Sequence, residues 1–318
     1  WDSTETQLRS SIWVGEADDP IQALQAAAAS DRQVTALVLT PTLAASLAQL
    51  RRQPARGPWL ASLVEGFMAQ GLLRLADAEA AVARFLRAKG LPTGAVPLGN
   101  VSVLFGATPT LGVGLADGNG QRGGYGRLVS LFDLKRGREM LGASGELFRV
   151  TLMDPDGNRR TLTSLSPWGR AQVNLTPKDG SYRWTWSRPS GEEGLQGLSI
   201  TLTMSLAGDL SRWKLKVDNP ATRWSVDTVT CPVVAVGPLG EDPADDNLYV
   251  PAGYGKYYPN PTGVATRYDG TYPNGWCTMQ WLAVTDAQGG LYVAAHDPTA
   301  SAKNFFVRSD GVTSVSSS

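Results

Sequence analysis

The hydrophobic periodicity of this chain changes near residue 95, and this change limits the folds it can adopt. Before it, apolar residues recur at helical spacing, and Asp19-Pro20 opens the first run as a helix start with proline in the first turn. The segment Val34–Leu39 fits a strand or a helix equally well. Further helices are predicted over Thr42–Arg52, over Pro58–Leu73, and from Asp77 until Gly90 and Pro92 end it.

After Pro97 the pattern changes to short alternating segments separated by Gly, Asp-Gly and Pro. The predicted strands are Val101–Phe105, Leu128–Asp133, Leu147–Met153, Arg160–Ser164, Ala171–Leu175, Tyr182–Ser187, Leu198–Ser205, Ser211–Asp218, Asp227–Val236, Thr278–Thr285, Gly290–His296 and Phe305–Val307. Strands in this number, with no helix between them, predict a mainly β, antiparallel body over residues 96–318 behind a small helical region over residues 1–95. No repeat of fixed period is visible, which argues against a propeller.

The charge balance and the rare residues exclude several functional classes. The chain has 29 Lys and Arg against 29 Asp and Glu, so we expect no nucleic-acid partner. No apolar stretch reaches the roughly 18 residues of a membrane helix, so no membrane span is expected. His296 is the only histidine, and Cys231 and Cys277 are the only cysteines, so a structural zinc site cannot assemble. We therefore predict no metal and no cofactor.

Two motif matches fail in their context. Residues Gly118–Gly123 match the G-x-G-x-x-G string of dinucleotide sites, but a strand follows where a helix is required, which favours a glycine-rich loop. Residues Asp154–Asn158 have calcium-ligand spacing, yet Arg159 and Leu165 stand where that loop needs Gly and Glu, so a hairpin turn is favoured. The acidic run Glu241–Asp246 could supply oxygen ligands, although a solvated loop is the default interpretation.

Four residues are candidates for covalent modification. Cys231 and Cys277 could form one disulfide in an oxidising compartment, and the alternative is two buried thiols. Asn100 and Asn174 open N-x-S/T strings, which are N-glycosylation acceptors in secreted proteins.

A tyrosine-rich segment over Tyr249–Asn260 is the main candidate for ligand binding. Flat rings with polar tips stack on sugars or fill domain interfaces, and ordinary loop packing is the third interpretation. We select Tyr254, Tyr257 and Tyr258 from this segment, together with His296, which alternation places at a strand end. His296 is either a structural histidine or the edge of a groove shared with these tyrosines.

Several blocks in a fixed order resemble a known family. They are Gly126–Leu141 with its strand followed by Glu139-Met-Leu, Trp213–Asn219, Val229–Val234, Asp246–Pro251, Met279–Ala283 and Gly289–Pro298. Together they resemble the galactose-mutarotase-like β-supersandwich domain of large carbohydrate-active enzymes, over roughly residues 100–308. The final block resembles the end of the supersandwich that precedes a catalytic (β/α)8 barrel in uncharacterised glycoside-hydrolase-like proteins.

The resemblance implies an antiparallel β-supersandwich and a carbohydrate-associated function. A mutarotase uses histidines and a carboxylate, so a chain with one histidine is not expected to have that activity. In the hydrolase-like group the catalytic carboxylates lie on the barrel, which would begin after Ser318. We therefore expect a non-catalytic, carbohydrate-binding module of a secreted or extracellular glycoprotein, with a C-terminal catalytic barrel or another chain as partner.

Two alternatives belong to other functional classes. The first is a complete glycan-active enzyme, a lyase or an epimerase, that works through tyrosines and carboxylates in a groove. The second is an architectural extracellular protein that self-associates through large apolar contacts and shows neither binding nor turnover of glycans.

Overall fold

The computed structural model describes most of the chain from residue 39 onward. The described residues are 2–3, 33–34, 39–54, 56–88, 90–92, 94–117, 124–176, 181–191, 193–221, 223–240, 242–261, 263–309 and 313–317. The predicted helix after Asp19-Pro20, the glycine string over 118–123 and most of the ambiguous segment over 34–39 lie outside the described residues.

The α-helices in the described part of the chain are α1 (Pro41–Arg51), α2 (Arg56–Ala69) and α3 (Leu75–Arg87), and a short 3-10 helix covers Pro243–Asp245. The Thr40 hydroxyl caps α1 by accepting a hydrogen bond from the Leu43 backbone N–H at 3.1 Å, and proline occupies the first turn. All three helices lie within a few residues of the predicted ones. None of the helices in the described residues has both the length and the apolar character that a membrane crossing requires.

The described strands are all paired in antiparallel ladders. In chain order they are β1 (Asp2–Ser3), β2 (Gln33–Val34), β3 (Gly94–Leu98), β4 (Val101–Ala107), β5 (Leu111–Ala116), β6 (Arg127–Asp133), β7 (Arg138–Glu139), β8 (Gly145–Glu146), β9 (Arg149–Met153), β10 (Arg159–Thr163), β11 (Trp168–Thr176), β12 (Ser181–Pro189), β13 (Ser199–Ala207), β14 (Leu210–Asp218), β15 (Ser225–Thr230), β16 (Val233–Val236), β17 (Asn247–Val250), β18 (Lys256–Pro259), β19 (Thr266–Tyr272), β20 (Trp281–Thr285), β21 (Gly290–Ala294), β22 (Lys303–Ser309) and β23 (Thr313–Ser317).

Within the described residues these strands form several small sheets. The largest has the order β3-β4-β5-β6-β7, with β8 also paired to β6. Three four-stranded sheets have the orders β11-β12-β13-β14, β16-β23-β22-β19 and β18-β17-β20-β21, while β10-β9-β15 and β1-β2 are smaller.

The predicted mainly β, antiparallel body is confirmed, whereas the supersandwich is not. Four strands is the size of a propeller blade, so the division into small sheets is propeller-like, although the sequence has no visible repeat. The physical reason for the difference is that alternation and turn residues specify which neighbouring strands pair, but not how the resulting sheets stack.

The helices pack against one face of the largest sheet. Val82 and Phe85 of α3 are fully buried and belong to one apolar cluster with Val103, Phe105 and Phe132 of that sheet. A second, larger cluster joins Val113 and Leu131 of the largest sheet to the rest of the β body, and includes Phe148, Trp184 and Trp186. The predicted division at residue 95 stays a prediction. The apolar face of the helices is covered by the sheet.

A buried polar contact also joins the helices to the sheet. The Trp59 indole N–H of α2 donates to the Ser130 hydroxyl at 2.6 Å, and this hydroxyl donates to the Glu139 carboxylate at 2.6 Å. Burial raises the pKa of Glu139, although hydrogen bonds from Ser130 and from the backbone of Leu131 and Leu141 act in the opposite direction. Glu139 therefore fixes the β6–β7 turn under α2.

Candidate functional site

The sheet β18-β17-β20-β21 has one face in the core and one in solvent. Directly paired residues of antiparallel strands lie on the same face, so the strand pairing determines the face on which each side chain of this sheet lies. The core face carries Leu248, Leu282 and Val284, all fully buried. The opposite face has no buried residue among those that the four strands contribute.

Four aromatic side chains cross the solvent face. We call this set the aromatic strip: Tyr257 of β18, Tyr249 of β17, Trp281 of β20 and Tyr292 of β21. The Tyr249 and Tyr257 ring centroids are 6.1 Å apart, and Trp281 stacks on Tyr292 at 6.0 Å with 29° between the ring planes. At about 4.8 Å per strand, the strip is about 14 Å long.

The middle of the strip is shallow and the whole face is uncharged. Ala283 lies in register between Tyr249 and Tyr292, so a small side chain separates two rings. The other residues of this face are polar or small, namely Pro259, Asn247, Thr285, Gly290 and Ala294. Within the described residues of these strands, the solvent face carries no ionisable side chain except the tyrosine hydroxyls.

A groove of about 550 Å³ lies beside the strip at the edge of β21. Tyr292 lines it and so belongs to both features, while Leu111, Leu131 and Met140 are its buried apolar residues. The charged lining residues are Asp133, Lys135, Arg136 and Asp209. The volume and the mixture of apolar surface with a few polar groups are typical of small-ligand sites.

Contacts between sheets hold the walls of this groove in place. The Thr108 hydroxyl donates to the Gly208 carbonyl, which ties the β13–β14 hairpin to the β4–β5 loop. Arg138 forms an ion pair with Asp286 that is largely buried and joins β7 to the β20–β21 turn. The groove is therefore set by the meeting of three sheets.

The Arg136 guanidinium forms an ion pair with Asp133 at 2.8 Å on the rim of the groove. Burial raises the pKa of Asp133, but hydrogen bonds from Arg136 and Lys135 more than offset it and hold that pKa below its ordinary value. Asp133 is therefore ionised at neutral pH.

The four predicted ligand-binding residues lie at different positions on this sheet. Tyr257 lies in the strip, but Tyr258 faces the other way, half-buried with the Lys256 ammonium 4.6 Å from its ring centroid. Tyr254 is fully exposed in the β17–β18 hairpin. His296 is exposed two residues beyond β21, at the same end of the sheet as Tyr254 but at the opposite edge. Their shared groove stays a prediction.

Tyr249, Trp281 and Tyr292 are the site residues that the sequence analysis missed. Ordinary loop packing is one of the interpretations given above for the segment over 249–260, whereas Asn247–Val250 and Lys256–Pro259 are the paired strands β17 and β18. The signal was present: Tyr249, Trp281 and Tyr292 alternate with buried Leu248, Leu282 and half-buried Leu291. Only the pairing of four strands shows that these rings form one row.

A buried charged cluster lies next to the Arg138–Asp286 ion pair. The Asp246 carboxylate accepts from the Leu239 backbone N–H at 3.1 Å through one oxygen, and its other oxygen has no hydrogen-bond partner among the described residues. Burial raises the pKa of Asp246 to about 6, with Asp245 and Asp286 adding to the shift. Asp246 is fully buried, so it has no access to a ligand on the surface.

The candidate calcium loop is a hairpin turn. The Asp154 carboxylate accepts hydrogen bonds from the backbone N–H groups of Asp156 and Asn158, at 2.9 and 2.8 Å, and from the Asn158 amide at 3.0 Å. These bonds use the oxygens that a cation would need. In the described part of the chain, no cluster of three or more His, Cys, Asp and Glu is arranged to hold a metal.

The two cysteines are not joined by a disulfide, and their environments differ. The Cys277 thiol is buried and donates to the Met279 carbonyl at 3.1 Å. Burial raises the pKa of Cys231 to about 12. Burial also raises the pKa of Cys277, and whether the two cysteines form a disulfide in the protein stays a prediction.

The two glycosylation candidates differ in position. Asn100 is exposed in the β3–β4 turn, whereas Asn174 lies within β11 and pairs with Arg183 of β12. Their modification stays a prediction.

Comparison with known proteins finds a partial sequence relative. No family model matches the chain. A Monosiga brevicollis protein described as "Putative glycoside hydrolase 22789" is 29% identical over 164 residues, which cover 48% of this chain and 12% of that protein. The match therefore relates this chain to a small part of a glycoside-hydrolase-like protein.

A distant likeness also exists among solved structures. The 4-alpha-glucanotransferase from Thermococcus litoralis aligns over 87% of this chain and 46% of its own, with a TM-score of 0.45 and 6% identity. Similarity at this level does not identify a fold, and the chain spans less than half of that enzyme.

Proposed function

We propose that this chain is a non-catalytic carbohydrate-binding module of an extracellular glycoside-hydrolase-like protein, and that the aromatic strip holds the sugar. The strip is the observation that carries the proposal. Rings with exposed faces and polar edges suit a ligand that has flat apolar faces and a rim of hydroxyl groups. The sequence relationship to a glycoside-hydrolase-like protein supports the same ligand class.

The charge and size of the face favour a small neutral ligand over a macromolecular partner. Without ionisable side chains other than tyrosines, the face has nothing to pair with phosphates of nucleic acid or of a membrane. Four short strands present on the order of 200 Å². A stable protein complex buries roughly 800 Å² on each partner, so the face is too small for a second copy of the chain by itself.

The wider proposal extends to the parent protein. The ordered sequence blocks that resemble a galactose-mutarotase-like supersandwich support a module that precedes a catalytic barrel or works beside another chain. Tyr254 and His296, at the sheet end next to the strip, are proposed to form its outer contacts with a longer glycan.

Calorimetric titration with neutral linear hexasaccharides tests the strip. We use maltohexaose, cellohexaose and laminarihexaose as probes, and compare wild type with Tyr249→Ala and Tyr292→Ala. Each ring removed should weaken binding by about fivefold or more, because one stacked aromatic contact contributes about 1 kcal/mol. Both rings are exposed, so the variants should keep the melting temperature of the wild type.

Val226→Ala is the matched control, since it removes an exposed apolar side chain from β15 in a different sheet. Unchanged affinity in both tyrosine variants would overturn the proposal. Release of reducing sugar or unsaturated product by the purified chain, abolished in His296→Ala, would instead support a complete glycan-active enzyme.

A further inference from the structure

The groove lies at the end of the aromatic strip, where Tyr292 belongs to both. Tyr257, Tyr249, Ala283 and Tyr292 are successive partners across the sheet, and Tyr292 then lines the groove beyond β21. A ligand that lies along the strip crosses the strands and meets the groove at Tyr292. The groove is bounded on its far side by the β13–β14 hairpin, which the bond from Thr108 to Gly208 holds in place.

The groove differs from the strip in its chemistry. The strip offers ring faces only, whereas the groove adds Asp209 and Lys135, which are both exposed and make no ion pair within the described residues. A carboxylate accepts hydrogen bonds and an ammonium donates them, so together they match hydroxyl groups that do both. The end of a sugar chain carries more such hydroxyls than an internal residue, whose linkage oxygens are substituted at both sides.

We propose that the groove is a terminal subsite, which binds the end of the neutral oligosaccharide that lies along the strip. This inference rests on the proposed function. The strip then provides affinity for any chain of suitable shape, and Asp209 and Lys135 provide selection for a free end. The module is thereby an end-binding one, directed at chain termini rather than at the middle of a polysaccharide.

The test combines end-blocked ligands with groove variants. The hexasaccharide that binds wild type is prepared unmodified, with a bulky fluorophore at its reducing end, and with the same fluorophore at its non-reducing end. Wild type should lose about tenfold in affinity for one of the two blocked forms, as expected for the loss of a hydrogen bond to a charged group. Asp209→Ala and Lys135→Ala should each discriminate less than wild type, and the double variant should bind all three forms equally, at the affinity that wild type has for that blocked form.

Lys214→Ala is the control, because Lys214 is an exposed lysine on β14 that does not line the groove. It should discriminate between the ligands as wild type does. If the groove variants keep wild-type discrimination, or if wild type binds all three forms equally, the terminal subsite is refuted while the strip proposal stands. If Tyr249→Ala and Tyr292→Ala both bind as wild type does, the proposed function itself fails, and the two failures are distinct.

Discussion

At the scale of single residues, Asp246 makes stability depend on pH. Its pKa of about 6 exceeds the ordinary value, so the folded state holds the proton more tightly than the unfolded state does. The stabilisation of the fold by this proton is complete below the pKa of about 3.9 that an aspartate has in the unfolded state. It is lost as the pH rises through about 6. A buried carboxylate without a full set of hydrogen bonds therefore weakens the fold at neutral pH.

The first prediction concerns Asp246→Asn. An amide of the same shape does not titrate, so the free energy of unfolding should vary less between about pH 4 and pH 7 than in wild type. At neutral pH the variant should be more stable by up to about 3 kcal/mol, from a shift of about two pKa units. Urea unfolding across this range measures both effects. Asp269→Asn, at an exposed position of β19, should keep the wild-type slope, and an unaltered slope in Asp246→Asn would contradict the argument.

At the scale of elements, α2 is fixed to the sheet by a tryptophan. Trp59 is fully buried, meets Phe105 edge-on with ring centroids 5.3 Å apart, and lies against Gly112 of β5. A β-carbon at Gly112 would stand 3.0 Å from the indole, so only glycine lets the ring approach the strand so closely.

The second prediction is that Trp59→Phe destabilises the fold by about 1 to 3 kcal/mol, because the buried Ser130 hydroxyl loses its donor and a small cavity opens. Chemical denaturation measures the loss, with one slope of unfolding free energy against denaturant concentration fitted to wild type and variant together. Trp276→Phe makes the same substitution at a side chain that is 71% exposed, and should change stability by less than about 0.5 kcal/mol. Equal effects in the two variants would mean that the buried contact contributes nothing.

Some of these helices and strands could be predicted from the sequence, and others could not. The helices and the long hairpins could be predicted because their apolar spacing is a local pattern. For example, the sequence predicts a strand over Ser211–Asp218, and the structure has β14 over Leu210–Asp218. Strand β5 was missed because Gly112 and Gly114 occupy alternate positions where side chains normally reveal the pattern. The predicted strand over 227–236 is two strands in different sheets, and Pro232, which cannot donate to a ladder, lies between them.

The candidate site was harder to predict from the sequence than the fold was. Tyr249 and Trp281 are distant in sequence and reach the same face only through the pairing of β17 with β20. No local pattern encodes that pairing. Tyr257 and Tyr258 were both selected by composition, although period two requires adjacent strand residues to face opposite ways.

At the scale of the whole molecule, the helical region covers the apolar outer face of the largest sheet. The third prediction is that a chain starting at residue 96 aggregates, because Val103, Phe105 and Phe132 lose the helices that bury them. Light scattering after size-exclusion chromatography detects this. Adding Phe105→Ser and Phe132→Ser to the shortened chain should reduce aggregation, since both rings face the helices rather than the second core. A monodisperse shortened chain would show that the helices are dispensable.

Strand β18 forms one edge of the sheet that carries the aromatic strip, and this edge affects how soluble the protein is in a crowded solution. An open edge next to exposed rings is the kind of surface on which copies of a protein add strand to strand into fibres. Lys256 opens β18 and Pro259 ends it, so a charge that resists burial and a residue without an N–H stand at the two ends of that edge. The molecule can therefore keep its tyrosines uncovered for a ligand while denying neighbouring copies a continuous row of backbone groups to extend.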